Sequence, residues 1–365
     1  MRPRHRCAVR LLLLVVLATG CLPRPTPVPT AVRSPTATIA ATAFATPSLS
    51  PTEVAPLLLT LTGPLADARA ELSGLAWDAA GDRLLLLPQF PDRFPQPRAS
   101  SALFVLSAAD LNAAVADPSR PLSPMPIPLL TSGLEDQIAR FEGFEAVAIA
   151  ADTVYLLVEA GGSGPGMTSF LVSGEFSSAR DAITLNSASL TTNPLPVAYP
   201  NHADESLLLV PGEILSFFET NGQYTYPDAH FHRFSRELEP LGAAPFPPLE
   251  YRLTDVSALQ PDGTFWGLNF FFPGDLEQLI DPEPLALIYG QGPTHARSIQ
   301  VERLVHYRYQ TGAISLLPEP PIQLALDGVP RNWEGLAILP GRGFLLATDK
   351  FPSTLLAFVP FPSGQ

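Results

Sequence analysis

The residues best placed to do chemistry are carboxylates that recur in front of small and apolar residues. Three segments share this pattern: Phe144-Glu145-Ala146-Val147-Ala148-Ile149, Thr254-Asp255-Val256-Ser257-Ala258-Leu259 and Trp333-Glu334-Gly335-Leu336-Ala337-Ile338. A fourth, Leu72-Ser73-Gly74-Leu75-Ala76-Trp77, has Ser73 at that place and Glu71 two residues earlier. Acids brought close together raise one another's pKa or recruit a cation. An all-oxygen cluster suits Ca²⁺, which takes about six to eight oxygen ligands. Such an ion would polarise an ester, lactone or phosphoester oxygen, or lower the pKa of a bound water. The same acids could instead accept backbone hydrogen bonds or pair with arginine and only fix neighbouring elements to each other. From the residues alone both roles stay open.

Short strands must position these acids. Beyond Pro56 the chain alternates apolar β-rich runs with Pro, Gly, Asp and Asn turns, as in Leu57 to Leu61, Arg83 to Leu87, Ala102 to Leu106, Thr153 to Val158, Ser206 to Val210, Thr264 to Leu268, Gly343 to Ala347 and Thr354 to Val359. With 42 prolines the chain is a poor candidate for a helical or doubly wound fold. Short helices are expected only at Ala108 to Ala116, Glu135 to Phe141 and Asp275 to Ile280.

Each acid-bearing segment is followed by a polar turn and a bulkier strand, the pattern of the two inner strands of a propeller blade, where side chains converge on a tunnel. Copies fall 72, 110 and 79 residues apart, which fits blades of about 50 residues if some copies are degenerate. Asn201-His202-Ala203-Asp204-Glu205, before Ser206 to Val210, is a candidate degenerate copy. The expected fold is all-β, a six-bladed β-propeller with five or seven blades as alternatives, and with the early strand Leu57 to Leu61 closing the last blade. Glu71, Glu145, Asp255 and Glu334 are then the candidates to hold a metal or ligand at the tunnel mouth, with Glu159, Asn332 and Asp349 in support; no residue is assigned a catalytic role.

Phe141-Glu142-Gly143-Phe144-Glu145-Ala146-Val147-Ala148-Ile149, running on to Leu157-Val158-Glu159, resembles the G-x-E-G-L-A … E segment of the phytase-like propeller family, described as having esterase-like activity of phytase. Leu253 to Gly263 is similar to that family's D-x-x-x-L … D-G strand pair. Asn332-Trp333-Glu334-Gly335-Leu336-Ala337 with Ala347-Thr348-Asp349 is similar to its closing blade. The resemblance spans about Glu71 to Val359, but Ala146 stands where the family has Gly, and no Glu-Arg follows Trp266. It implies metal-assisted hydrolysis of an ester or phosphoester. Glu71 with Gly74, Trp77 and the Gly81 turn resembles the opening of calcium-dependent gluconolactonase-type propellers, which implies a lactonase. A propeller that binds a small ligand or surface polymer without catalysis is the other alternative.

At the N-terminus Arg2, Arg4, Arg6 and Arg10 precede an apolar run, Leu11 to Ala18, too short to cross a bilayer. It ends in Leu17-Ala18-Thr19-Gly20-Cys21, which resembles the bacterial lipobox, with Ala18 where that pattern favours Leu. The expected organisation is a signal peptide over 1–20, a lipidated Cys21 opening a Pro/Thr-rich tether over 21–55, and a propeller over 56–365. Prolines keep such a tether extended, to a reach of roughly 100 Å at about 3.1 Å per residue. The protein is expected outside the cytoplasm, held on the membrane by lipid at Cys21, as a monomer acting on a small molecule. With Cys7 in the signal and Cys21 lipidated, no cysteine is left for a disulfide.

The formal charge is −13; removing the four signal arginines leaves 18 basic and 35 acidic residues, or −17, which disfavours nucleic acid as a partner. His230 and His232 share a strand face but lack a third zinc ligand. The chain contains no Gly-x-Ser-x-Gly elbow to activate a serine and no Walker loop. The tryptophans Trp77, Trp266 and Trp333 are expected to pack between blades.

Overall fold

In the computed structural model the residues described are 51–161, 167–197, 202–223 and 225–362. The signal, Cys21 and the tether up to residue 50 lie outside them, as do Asn201 and most of the glycine-rich turn after Ala160. Two short strands open the chain, β1 (Thr52–Val54) and β2 (Leu57–Leu59). Two antiparallel blades of four strands follow. The first contains β3 (Leu72–Asp78), β4 (Arg83–Pro88), β5 (Ser101–Ser107) and β6 (Met125–Leu130). The second contains β7 (Phe141–Ala150), β8 (Thr153–Ala160), β9 (Thr168–Phe176) and β10 (Ile183–Asn193). Their outer edges join where Ile183 and Thr184 pair parallel with Leu129 and Leu130.

The third blade is β11 (Asp204–Val210), β12 (Glu213–Phe218), β13 (His230–Ser235) and β14 (Pro240–Pro245). The fourth holds β15 (Arg252–Val256), β16 (Thr264–Phe271) and β17 (Val301–Gln310), whose outer edge carries β18 (Ala313–Leu316) and β19 (Ile322–Leu324). The last is β20 (Trp333–Leu339), β21 (Gly343–Thr348) and β22 (Leu356–Pro360), completed by β2. The inner strands β3, β7, β11, β15 and β20 stand side by side in that order, and β20 returns beside β3. The fold is a β-propeller.

Five apolar wedges lie between successive blades, and each draws side chains from the two blades beside it. The number of blades among the described residues is therefore five, one of the alternatives, in place of the expected six. The reason is uneven loop length: residues 272–300 form a long insertion between β16 and β17 that carries a short helix, Pro284–Tyr289, so the wide copy spacings did not conceal a sixth blade.

The N-terminal strand closes the ring as expected. Leu57, Leu58 and Leu59 pair antiparallel with Phe358, Ala357 and Leu356, which gives the last blade its fourth, outermost strand. One boundary moves. Thr52, Glu53 and Val54, placed in the tether, pair parallel with Ile322, Gln323 and Leu324. The Glu53 carboxylate accepts hydrogen bonds from the Thr294 amide (3.0 Å) and hydroxyl (2.5 Å), so the domain already includes these residues. Of the expected helices, Ala108–Ala116 forms, with Ser107 as its N-cap. The expected helix from Glu135 shrinks to Leu134–Gln137 before β7 begins, and that from Asp275 to a 3₁₀ turn over Leu276–Gln278.

Along the five inner strands side chains alternate. Residues Leu75, Val147, Leu207, Val256 and Leu336 form one apolar ring around the axis, and Trp77, Ile149, Leu209, Ala258 and Ile338 form a second one nearer the far mouth. If β2 is what closes the ring, Leu59→Ala, at a side chain 4% exposed, should lower unfolding free energy by about 2–4 kcal/mol in a denaturant titration. An effect near zero would show that the last blade closes without it.

Candidate functional site

Every inner strand is irregular near its start. The register with the second strand of the blade slips at five matching positions, Ser73, Glu145, Glu205, Thr254 and Glu334, and β7 slips a second time at Glu142. A bulge leaves its residue unpaired and re-aims its side chain. Three of these five are glutamates, and all three line one cavity of about 290 Å³ at the mouth of the tunnel. Ser73 and Thr254 have another use: their hydroxyls donate to the carbonyls of Phe144 (2.6 Å) and Trp333 (2.6 Å) in the next blade.

Glu159, Asn332 and Asp349 line the same cavity, with Gln89, Arg252, Asp275, Lys350 and the rings of Phe270, Phe272 and Phe351. Gln89 donates its amide to Glu145 Oε1 at 3.0 Å, and Asn332 donates to Glu334 Oε1. Asp349 accepts from the Phe351 amide at 2.8 Å. Arg252 is already engaged, donating to Glu219 Oε2 at 2.7 Å and Asp275 Oδ2 at 3.0 Å. Burial opposes its charge, and Glu219, Glu205 and Asp275 more than restore it, so the guanidinium stays protonated.

The acids outnumber the cations, and desolvation decides their protonation. Burial is the first cause throughout. It pushes Glu145 up to about 7, opposed by the Gln89 hydrogen bond and reinforced by the charges of Glu219 and Asp349. It pushes Glu159 up to about 9, with Glu145 and Glu219 adding to it. Glu205 and Glu334 rise well above the usual carboxylate range, and Asp349 rises as well. Glu205 Oε2 is buried with no hydrogen-bond partner.

Of the candidates read from sequence, Glu145, Glu334, Glu159, Asn332 and Asp349 come together here. Two do not. Asp255 belongs one step further along its strand, because the bulge falls on Thr254 and not on Asp255. Its carboxylate accepts the backbone amides of Leu336 (2.6 Å), Val256 (2.8 Å) and Leu75, and so ties the fourth blade to the last and the first. Glu71 pairs with Arg93 at 3.1 Å and lines a separate surface cleft with Asp67 and Arg69.

Glu205 was missed as a site residue although its segment stood out as a degenerate copy. Its signal was an acid one residue before Ser206, in the slot that Glu145 and Glu334 occupy. Arg252, Glu219 and Asp275 carried no sequence signal. His232 Nδ1 lies 3.6 Å from Asp204, while His230 meets the Asp228 carbonyl. Among the described residues no three acids or histidines are grouped closely enough to share a metal ion. Trp266 and Trp333 pack between the fourth and last blades as expected, and Trp333 donates its indole N–H to Glu302 at 2.7 Å. Trp77 packs against the wedge between the last and first blades, and it also lines the far mouth.

The class this fold and site define is a β-propeller with a carboxyl-lined mouth. No family model matches the chain, and no curated protein matches it. Among solved structures, a glucose dehydrogenase is similar at 16% identity and a TM-score of 0.43, over 81% of this chain and 98% of that one. The soluble aldose sugar dehydrogenase of Escherichia coli gives 12% and 0.42, over 84% and 99%. The arabinanase Arb43A of Bacillus subtilis gives 9% and 0.43, over 80% and 95%.

Raised carboxyl pKa values fix a pH dependence of stability. The folded chain binds protons at Glu145 and Glu159 more tightly than the unfolded chain, so their contribution is complete below the ordinary value of 4.5 and is lost as pH rises through about 7 and then about 9. Thermal melts are expected to fall between about pH 5 and pH 9, and Glu159→Gln to flatten the upper part of that fall. A melting temperature that climbs over this range would contradict the burial of these acids.

Proposed function

We propose that this chain is an extracytoplasmic hydrolase of small uncharged esters or lactones, held on the membrane by a lipid at Cys21, with general acid–base chemistry at the carboxyl-lined mouth. One observation carries it: Glu145 and Glu159 share a cavity while their pKa values are pushed apart, to about 7 and about 9. Titratable partners separated in this way are the usual basis for an acid and a base at one pH. The two stand diagonally across the β7–β8 hairpin, where Gly143 pairs with Glu159 and Ala146 with Leu157.

Near neutral pH Glu159 holds its proton and Glu145 is partly ionised. Glu145 takes a proton from water as the water oxygen bonds to the acyl carbon. The acyl–oxygen bond then breaks, and Glu159 gives its proton to the leaving alkoxide. Transfer of the proton from Glu145 to Glu159 restores both. Among the described residues of the lining, Lys350, the one lysine of the chain, is the cation free to meet the developing oxyanion, since Arg252 is held by Glu219 and Asp275. The excess of acid in the cavity disfavours phosphoesters, although the resemblance to the phytase-like propellers supports the hydrolase class.

Two other readings each have one supporting observation. Calcium at this mouth is supported by the all-oxygen acids and by the unpartnered, buried Glu205 Oε2. Against it, no three acids or histidines among the described residues are grouped closely enough to share one ion. A ligand-binding propeller without catalysis is supported by the lining itself, which among the described residues contains no Ser, Thr, Cys or His nucleophile.

A panel of nitrophenyl esters, lactones and phosphate esters, assayed with and without chelator, separates the three. Acid–base hydrolysis predicts ester or lactone turnover that survives chelation and a kcat lower by about 10²–10⁴-fold in Glu145→Gln. Turnover abolished by chelator and restored by Ca²⁺ replaces this with the metal reading, and absence of turnover leaves the binder. The anchor is checked separately: cells fed a radioactive fatty acid should label the protein, and Cys21→Ala should remove the label. An unlabelled Cys21 protein would be inconsistent with lipidation.

A further inference from the structure

The far mouth of the tunnel differs in character from the acidic one. Its cavity is larger, about 490 Å³, and its walls are the two apolar rings of the inner strands together with Leu259, Pro340 and Phe361. Among the described residues no charged side chain lines it, and Gln260 is its one side-chain amide. The volume falls in the range of small-molecule sites, about 300–1,000 Å³, which are mostly apolar with a few polar groups.

Its rim is not ordinary core. Trp77, Ile149, Leu209, Leu259, Ile338 and Phe361 are only half-buried, so a concave apolar surface is left in contact with solvent. Covering it is favourable in proportion to the area removed from water. A charged ligand would lose its hydration there with nothing to replace it.

Asp255 separates this cavity from the acidic mouth. Its side chain reaches from the fourth blade to the backbone of Leu336 and Leu75, residues of the inner apolar ring, and thereby pins the floor of the well. What binds at one mouth therefore does not compete for the other. The well is walled by all five inner strands, and its volume suits a small molecule.

We propose that the far mouth is a second binding site, for a small uncharged apolar ligand, independent of the carboxyl site. The test is titration of the full chain with the uncharged probe N-phenyl-1-naphthylamine, read by its fluorescence and by energy transfer from Trp77. Saturable binding at one site per chain is expected. Ala258 is exposed on the rim, so Ala258→Trp and Ala258→Asp should leave the melting temperature unchanged while weakening the probe by at least about tenfold. Trp77→Phe should reduce the energy transfer, and Glu145→Gln should leave the affinity unchanged. Absence of saturable binding, or wild-type affinity in both Ala258 variants, overturns the proposal.

Discussion

Crowding at the axis is the constraint on which the rest depends. Five inner strands converge, and one residue past the bulge the backbones are so close that the level is occupied by Gly74, Ala146, Ser206 and Gly335. A Cβ on Gly335 would lie 2.7 Å from Leu75 Cγ, and one on Gly74 would lie 3.3 Å from the Val147 nitrogen. Only one larger side chain fits at this level, and it is Asp255. It can be accommodated because its carboxylate takes up backbone amides that would otherwise lack partners in a closed interior. The same side chain thus fills the space and joins three blades.

The bulges and the strand alternation turn this crowded ring into two unlike ends. On one side three of the bulges aim a Glu into the mouth, where the desolvated acids collect protons, while Ser73 and Thr254 bond across to the next blade. On the other side the regular two-residue period sends Leu, Val and Ile inward. Maintaining the acidic end costs stability at high pH, because buried carboxyls must ionise against each other. The apolar wedges between blades offset that cost, and closure by β2 keeps the first and last blades in contact.

Much of the scaffold was legible because a propeller writes its inner strands as repeated short patterns. All five inner strands stood out, the degenerate Asp204–Val210 among them, and so did the closing pairing of Leu57–Leu59. Two things were not legible. Blade number was inferred from spacing, which the insertion over 272–300 stretched without adding a blade. Register was inferred by aligning acids with acids, and in the fourth blade this slid the frame by one residue: Thr254 holds the bulge, and Asp255 took the slot that belonged to it. The error also hid Glu205, whose place becomes plain once the bulges rather than the acids are aligned.

Arg252 shows why the rest of the site could not be read from patterns. Nothing in its local sequence marks it, yet it lies between Glu219 and Asp275 and restrains the charge of a cavity that would otherwise hold acids almost alone. Its partners are 33 and 23 residues away in sequence and meet it only because the ends of β12 and β16 close on the start of β15. An ion pair of this kind is a property of the assembled ring. With Arg252 spent on it, Lys350 is the other cation of that lining. The electrostatics of the mouth are therefore set by which charges are already paired, and that is decided by the closure of the blades.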